Sequence, residues 1–451
     1  MKKISLFVTF ILLSQFVWAQ KDAPKTYRFS LDEAINYAME NNYSSINASR
    51  DIEAAQQKKW ETTAAGLPQI NAGLDYTNNF KLQTQGITGN AFNPEGDPNQ
   101  VSTIAFGTKH TMTARSQLSQ LIFDGSYIVA LQASKTYLKY YQNYKQKNSN
   151  EVREMIINSY TNVLLAEENI QILSKNKTTL DKTLFDTNET FKNGLIEEEN
   201  VEQLKITLSS IVNNLNYTLR LREISMNMLK IDLGIPIESE LILTEDLENL
   251  NQSNLSFSLS LPAFEVKNNI DFQISENLVD QRKLELKLEK SKALPNLSAN
   301  VNFGYNAFGD DFNFYNSDQK WFNYSNLGVS LNIPIFSSFG RAAKTQQAKI
   351  EFEKALTQQT DAEQKLQLQY QSAKSDYEFR IEQYASAKEN LRLAERIERK
   401  QSVKFTEGIS TSFDFTDAQQ QLYKAQQNYL QSMVDVINTK AALDKLIQSN
   451  N

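Results

Sequence analysis

The sequence predicts a mostly α-helical chain with a β-barrel portion, internally duplicated, that is complete only as an oligomer. Three observations carry this. The segment Leu67-Pro68-Gln69-Ile70-Asn71-Ala72-Gly73-Leu74 returns as Leu294-Pro295-Asn296-Leu297-Ser298-Ala299-Asn300-Val301. Each half has an Ile-Phe pair, Ile122-Phe123 and Ile335-Phe336, followed by a stretch free of Gly and Pro, Ser126 to Asn193 and Arg341 to Glu407. Each stretch closes on an aromatic-to-Gly turn, Phe191 to Leu195 and Phe405 to Ile409. A duplication of strands and long helices decides the architecture ahead of any local motif.

From the N-terminus, Lys2 and Lys3, the apolar run Ile4 to Phe16 and the small-residue exit Val17-Trp18-Ala19 read as a secretory signal over residues 1–19. A first repeat then occupies 20–236, a connector 237–262 and a second repeat 263–451. The chain has 451 residues and is 40% hydrophobic, with a mean hydropathy of −0.49. After the signal no apolar run approaches the roughly 18–20 residues of a spanning helix. Any crossing of a membrane is therefore left to strands. There are no cysteines, which excludes disulfides, thiolate metal sites and a lipid-bearing cysteine. The 47 basic and 53 acidic residues give a net charge of −6. Scattered as they are, they make a poor nucleic-acid surface.

The elements follow in order. A helix over Leu31 to Ala65 stops at Gly66-Leu67-Pro68. In the first strand Ile70, Ala72, Leu74 and Tyr76 alternate with Gln69, Asn71, Gly73 and Asp75. A loop, Lys81 to Val101, leads to a less regular second strand, Thr103 to Ile122, through Phe106, Met112, Ala114, Leu118 and Ile122. The first long helix repeats Ile156, Tyr160, Val163, Ile170 and Leu173 at sums of three and four. It would be on the order of 100 Å long at 1.5 Å per residue. A shorter helix, Glu197 to Leu233, ends at Gly234, and Pro236 to Pro262 reads as irregular with a short strand. The second half has a helix over Phe264 to Leu294 and a third strand through Leu297, Ala299, Val301, Phe303 and Tyr305. After the acidic loop Gly309 to Lys320 comes a fourth strand through Leu327, Val329, Leu331, Ile333 and Ile335. The second long helix places Ala348, Ala355 and Ala362 at every seventh position, small knobs for a close neighbour, and the last helix spans Thr411 to Ile447. The short helices are about half the length of the long ones, so two stacked end to end match one long stave.

One apolar and one Asn-rich face over about ten residues is the pattern of a membrane barrel around a wet lumen. A half-buried sheet in a soluble domain shows the same alternation. The signal segment and the rim aromatics Phe80, Tyr305, Phe308, Trp321, Phe322 and Tyr324 favour the membrane, because such rings prefer the headgroup zone. Four strands cannot close a barrel; about eight is the minimum. Three copies would supply a 12-stranded barrel and a 12-stave helical barrel, which predicts a homotrimer.

With these units in view the chain resembles the TolC family of outer-membrane efflux ducts. The resemblance rests on Leu31-Asp32-Glu33-Ala34-Ile35, Asn41-Asn42, Leu67 to Ile70, Phe191 to Val201, Leu233-Gly234, Ile333-Pro334-Ile335-Phe336 and Phe405 to Ala418, in that order. It implies a passive trimeric duct of a tripartite efflux or type I secretion system, seated in outer-membrane lipid and reaching across the periplasm. A periplasmic adaptor and an inner-membrane pump of the RND or ABC type would be its partners. Asp414 and Asp417 match the family's acidic ring at the periplasmic constriction; apart from the resemblance, an acidic first turn answering the helix dipole explains them as well. The hairpin tips Gly194, Leu195, Gly408 and Ile409 are where the resemblance has an adaptor grip. The gate neighbours depart from the family: Asn200 and Ser410 stand where an acid and a basic residue commonly lock the closed state. Closure then falls to hydrogen bonds, or to Glu197, Glu198 and Glu199 meeting a lysine elsewhere.

Catalysis is not expected. His110 is the only histidine, and one histidine without cysteine makes neither a zinc site nor a triad. It is expected at the surface or in the lumen. No phosphate-binding Gly-rich loop occurs, so no cofactor is expected. Glu197-Glu198-Glu199 point apart on a helix and do not form a metal site. The rival reading is a soluble periplasmic coiled-coil scaffold or adaptor without a pore.

Overall fold

The computed structural model describes residues 25–88, 95, 97, 99–256 and 264–447. The signal segment 1–19 lies outside them. In chain order the elements are β1 (Thr26–Phe29), α1 (Leu31–Asn41), α2 (Tyr43–Ala64), β2 (Gln69–Asn78), β3 (Thr84–Thr88), β4 (Val101–Ala105), β5 (His110–Asp124) and α3 (Gly125–Lys192). They continue with α4 (Glu198–Leu233), β6 (Glu240–Leu243), α5 (Leu247–Ser256), a 3-10 turn (Val266–Asn268), α6 (Ile270–Ser291), β7 (Asn296–Gly309), β8 (Trp321–Asn332), α7 (Gly340–Thr406) and α8 (Ser412–Ile447). The chain divides into two compact units. One comprises Met1–Ile52, Tyr141–Ser275 and Gln359–Asn451, the other Glu53–Tyr140 and Glu276–Gln358. Each unit draws on both sequence repeats.

The first unit is helical with a small parallel pair, β1 and β6, in register from Thr26 with Glu240 to Phe29 with Leu243. The sequence pattern anticipated β6 but neither β1 nor α5. Its core gathers Ile156, Tyr160, Val163, Leu229, Leu233, Ile437 and Leu443. The Tyr160 hydroxyl donates to the Phe29 carbonyl at 3.0 Å, and burial pushes its pKa up to about 12. Ser30 and Glu33 form a reciprocal cap at the start of α1. The helix expected over Leu31 to Ala65 is two, broken at Asn42. That side chain leaves the helical pattern by donating to the Asp232 carbonyl at 2.6 Å and accepting from the Ser44 N–H at 2.8 Å.

The second unit holds an antiparallel sheet in the order β2-β5-β7-β8. Ile70, Leu118, Val301 and Leu327 lie opposite one another in a single row across all four strands. The adjacent row on the other face is Asn71, Gln117, Asn302 and Asn326. The apolar rows are not covered: Ile70 is 72% exposed and Leu327 71%. Strands β2 and β8 each have one edge with no partner among the described residues.

Three expectations change here. The second strand is not continuous from Thr103; β4 belongs to a separate hairpin with β3, and residues 106–109 separate it from β5, with Gly107 at φ 103°. Ile122 does not continue the apolar series. It is the extra residue of a bulge, and Phe123 takes the place opposite Leu297 instead. The fourth strand ends at Asn332, so Ile333 and Ile335 lie beyond it.

Among the described residues no helix is long and apolar enough to cross a membrane. The two long helices are single elements of 68 and 67 residues. Ala355 is buried, and Ala348 and Ala362, seven residues either side, are half-buried.

Gly194 and Gly234 both end helices in the left-handed conformation, at φ 74° and 76°. A Cβ at Gly194 would meet nothing within 4 Å, but one at Gly234 would lie 2.1 Å from the Asn41 carbonyl oxygen. Gly194→Ala should therefore cost about 1–2 kcal/mol, the left-handed penalty. Gly234→Ala should cost roughly 1–3 kcal/mol more, the size of an overpacking strain. Equal shifts in the thermal loss of helical dichroism for the two variants would refute this difference.

Candidate functional site

Two helical hairpins in the first unit present the residues singled out by the sequence. At the first turn the Gly194 N–H donates to the Phe191 carbonyl at 2.8 Å and the Leu195 N–H to the Thr190 carbonyl at 3.2 Å. At the second the Gly408 N–H reaches Phe405 at 3.1 Å and the Ile409 N–H reaches Lys404 at 2.8 Å. Both are the same left-handed helix stop, repeated as the duplicated sequence requires. Each thrusts an apolar side chain outward: Leu195 is 75% exposed and Ile409 76%.

The two hairpins pack together. Leu173, Leu180, Leu204, Ile211 and Phe415 form one buried cluster, with Phe405 and Tyr423 against it. The Phe405 and Phe415 rings stack with centroids 5.1 Å apart, which ties the aromatic of the turn to the helix that follows. A hydrogen bond also joins the turns: Asn200 Oδ1 accepts from the Ser412 N–H at 3.2 Å. Asn200 thus reaches the second hairpin two residues beyond Ser410, whose own hydroxyl donates to the neighbouring Thr411 carbonyl at 3.4 Å. Glu197, Glu198 and Glu199 enter none of the ion pairs found among the described residues.

Asp414 and Asp417 share the exposed side of α8, while Ser412, Phe415, Thr416, Ala418 and Gln419 turn inward. Asp414 also caps its helix. Its Oδ2 accepts from the Thr411 hydroxyl at 2.8 Å and the Thr411 N–H at 3.2 Å, and its own N–H donates to the Thr411 hydroxyl at 3.1 Å. The Thr411 hydroxyl, then its N–H and the Lys404 charge, hold the Asp414 carboxyl below its ordinary range. Asp417 accepts from the Gln421 amide at 2.7 Å. Nearby, Glu398 accepts from the Gln419 amide at 2.6 Å. Burial pushes its pKa up, against the Gln419 bond and the Arg399 charge.

The sheet contributes a second polar surface. Arg115 and Asp75 pair at 3.2 Å, Asn302 donates to Asn326 at 2.9 Å and Thr113 to Asn306 at 2.9 Å. The sequence pattern placed Asp75 on this face but did not single out Arg115. The signal was there: both side chains fall on the polar phase of neighbouring strands.

His110 is not at the surface of the chain. It is buried, with Nδ1 2.8 Å from the Tyr76 hydroxyl, its ring stacked on Tyr76 and edge-on to Phe312. Among the described residues no group of three or more His, Cys, Asp or Glu side chains could hold a metal ion.

The outer membrane efflux protein family matches residues 265–448. The outer membrane protein TolC of Vibrio cholerae is 23% identical over 457 residues, covering 97% of this chain and 93% of that protein. Solved structures of similar fold include CusC (TM-score 0.74, 15% identity, 97% of this chain and 96% of that one) and the Campylobacter jejuni CmeC outer membrane channel (0.70, 18%, 92% and 85%). The open state of the Neisseria gonorrhoeae MtrE outer membrane channel is a third (0.69, 17%, 92% and 88%).

Because the Glu398 pKa is raised, the folded chain disfavours the charged carboxylate. The penalty is absent below the ordinary value of 4.5 and grows as pH rises through the folded pKa. Glu398→Gln should therefore raise the thermal midpoint at pH 7 and lose that advantage as pH falls toward 4.5. A variant that is less stable at neutral pH would contradict the burial argument.

Proposed function

We infer, from the match of residues 265–448 to the outer membrane efflux protein family and the similarity to TolC, that this chain is a passive duct in the outer membrane, extending into the periplasm. The observation that carries this is the inverted sheet. Its apolar rows face outward and uncovered, its polar rows carry Asn, Thr, Arg115 and Asp75, and both its edges are unpaired. Lipid on one side, water on the other and further strands at both edges satisfy all three at once. A homotrimer does so with a closed 12-stranded barrel, and the helical hairpins supply a 12-stave periplasmic barrel. The two repeats, 20–236 and 263–451, then form neighbouring staves, joined by 237–262.

In this assembly Asp414 and Asp417 line the periplasmic mouth, six carboxylates around one axis. Such a ring attracts cations and repels anions. The exposed tips Gly194-Leu195 and Gly408-Ile409 would meet a periplasmic adaptor, and an inner-membrane pump of the RND or ABC type would supply energy and cargo choice. Asn200, beside Ser410, would hold the mouth with a neutral hydrogen bond to Ser412 instead of an ion pair. The protein itself carries out no reaction.

Two measurements test the reading. Native mass of the detergent-extracted protein should be three times the chain mass, and imaged particles should show a threefold tube; a monodisperse monomer would end the proposal. In planar bilayers, Asp414→Asn with Asp417→Asn should shift the reversal potential in a salt gradient toward zero with little change in size at the mouth. Asparagine keeps the oxygen that caps the helix, so the change reports charge alone. An unaltered reversal potential would remove the ring assignment while leaving the duct.

A further inference from the structure

The two strand-to-helix junctions of the duplicated fold are built differently, although the second is also capped, Ser337 accepting from the Gly340 N–H through its carbonyl at 2.8 Å and from the Arg341 N–H through Oγ at 3.4 Å. In the first repeat β5 runs directly into α3. Asp124 Oδ1 caps that helix, accepting from the Ser126 N–H at 2.6 Å and the Tyr127 N–H at 3.4 Å. In the second repeat seven residues, Ile333-Pro334-Ile335-Phe336-Ser337-Ser338-Phe339, intervene between β8 and α7. Ser338 and Phe339 have φ of 50° and 63°, and they are the only non-glycine residues with positive φ among the described residues. A bulky side chain in this region costs about 1–3 kcal/mol. A turn needing only the backbone shape would use glycine, and Gly340 is one position away.

The strain sets the direction of side chains. Ile335 is 88% exposed, Phe336 75% and Phe339 77%. The two phenyl rings are held edge to face with centroids 6.0 Å apart. They are a preformed apolar projection that nothing among the described residues buries.

Three features identify what covers it. The projection continues the outward apolar series Leu327, Val329 and Leu331 of β8 past the end of the strand. No charged residue occurs from Trp321 to Gly340. Immediately afterwards come Arg341 and Lys344, and the first turn of α7 contains no acid. Positive charge there has the wrong sign for the helix dipole. It has the right sign for lipid phosphates, beside which basic side chains settle with their stems in the apolar zone.

We propose that Ile335, Phe336 and Phe339 form a wedge seated at the boundary between acyl chains and headgroups on the periplasmic side of the outer membrane, with Arg341 and Lys344 against the phosphates. The wedge fixes how deep the sheet sits. The proposal rests on the duct reading, and it commits to lipid instead of a second copy of this chain as the covering partner.

The chain has no cysteine, so single-cysteine variants are clean. Full-length protein bearing Leu327→Cys, Ile335→Cys, Phe336→Cys or Phe339→Cys is labelled with bimane and reconstituted in phospholipid vesicles containing brominated lipids. Ile335 lies outside the strained pair, so its variant reports even if substitution at Phe339 disturbs the turn. Labels at 335, 336 and 339 should lose most of their emission to lipids brominated near the glycerol end of the chain, and little to lipids brominated near the methyl end. Loss at 327 without loss at 335, 336 and 339 overturns the wedge and leaves the membrane-spanning sheet intact; it would point to coverage by a second copy. Quenching at the three sites chiefly by methyl-end bromines overturns the boundary position. No quenching at any site, 327 included, overturns the duct reading together with the wedge.

Discussion

A sheet that turns its apolar rows outward and leaves both edges open is the constraint on which the rest of this molecule depends. In water such a surface is an aggregation site, because unpaired N–H and C=O groups template further pairing. In hydrocarbon each unpaired group costs several kcal/mol, so open edges are excluded altogether. A single copy of the chain meets neither condition. In the proposed duct the helices need no lipid contact, and their exposed surfaces are rich in Gln, Asn, Lys and Glu. Their packing is gathered in a large cluster around Tyr160 and a small one around Phe415.

At the hairpin turns, the residues that hold the helix ends are also the ones assigned to the proposed constriction. Asp414 caps α8 through Oδ2 and still stands on the exposed side of the helix with Asp417. A capping role and a place on a pore are therefore compatible in one residue. The same economy holds at Asn200, which joins two hairpins through a backbone N–H and needs no charge to do so. A bond of that kind is insensitive to salt, unlike an exposed ion pair.

Long-period features were legible in the sequence and short-range exceptions were not. Gly194, Gly234 and Gly408 marked three helix ends because only glycine adopts positive φ there without strain. The apolar phases of β2, β7 and β8 were readable because alternation over ten or more residues leaves little ambiguity. Asn42 was hidden inside a helical pattern; its break depends on the Asp232 carbonyl, 190 residues away. The short strand β1 was missed because its partner β6 lies 214 residues away and four residues carry no period. At the second hairpin, the shared helix face of Asp414 and Asp417 could be read from their spacing, but the hydrogen bond from Ser412 to Asn200 could not, since it is made by a backbone group. The strained pair Ser338-Phe339 left no trace in composition, because nothing in a Ser-Phe dipeptide announces a left-handed turn.

The bulge at Ile122 has a consequence beyond its own strand. It places Phe123 opposite Leu297 and leaves Asp124 as the last residue before α3. Counting one residue fewer would advance the start of that helix by one position. Each residue of an α-helix turns the chain by about 100°. The shift would swing Tyr127 off the Thr63 carbonyl that its hydroxyl now reaches at 3.0 Å, and carry Ser126 away from Ser291. A single inserted residue in the ribbon thus acts as the phase setting of the rod it feeds, and insertions or deletions near 122 should be tolerated only in multiples that restore the angle.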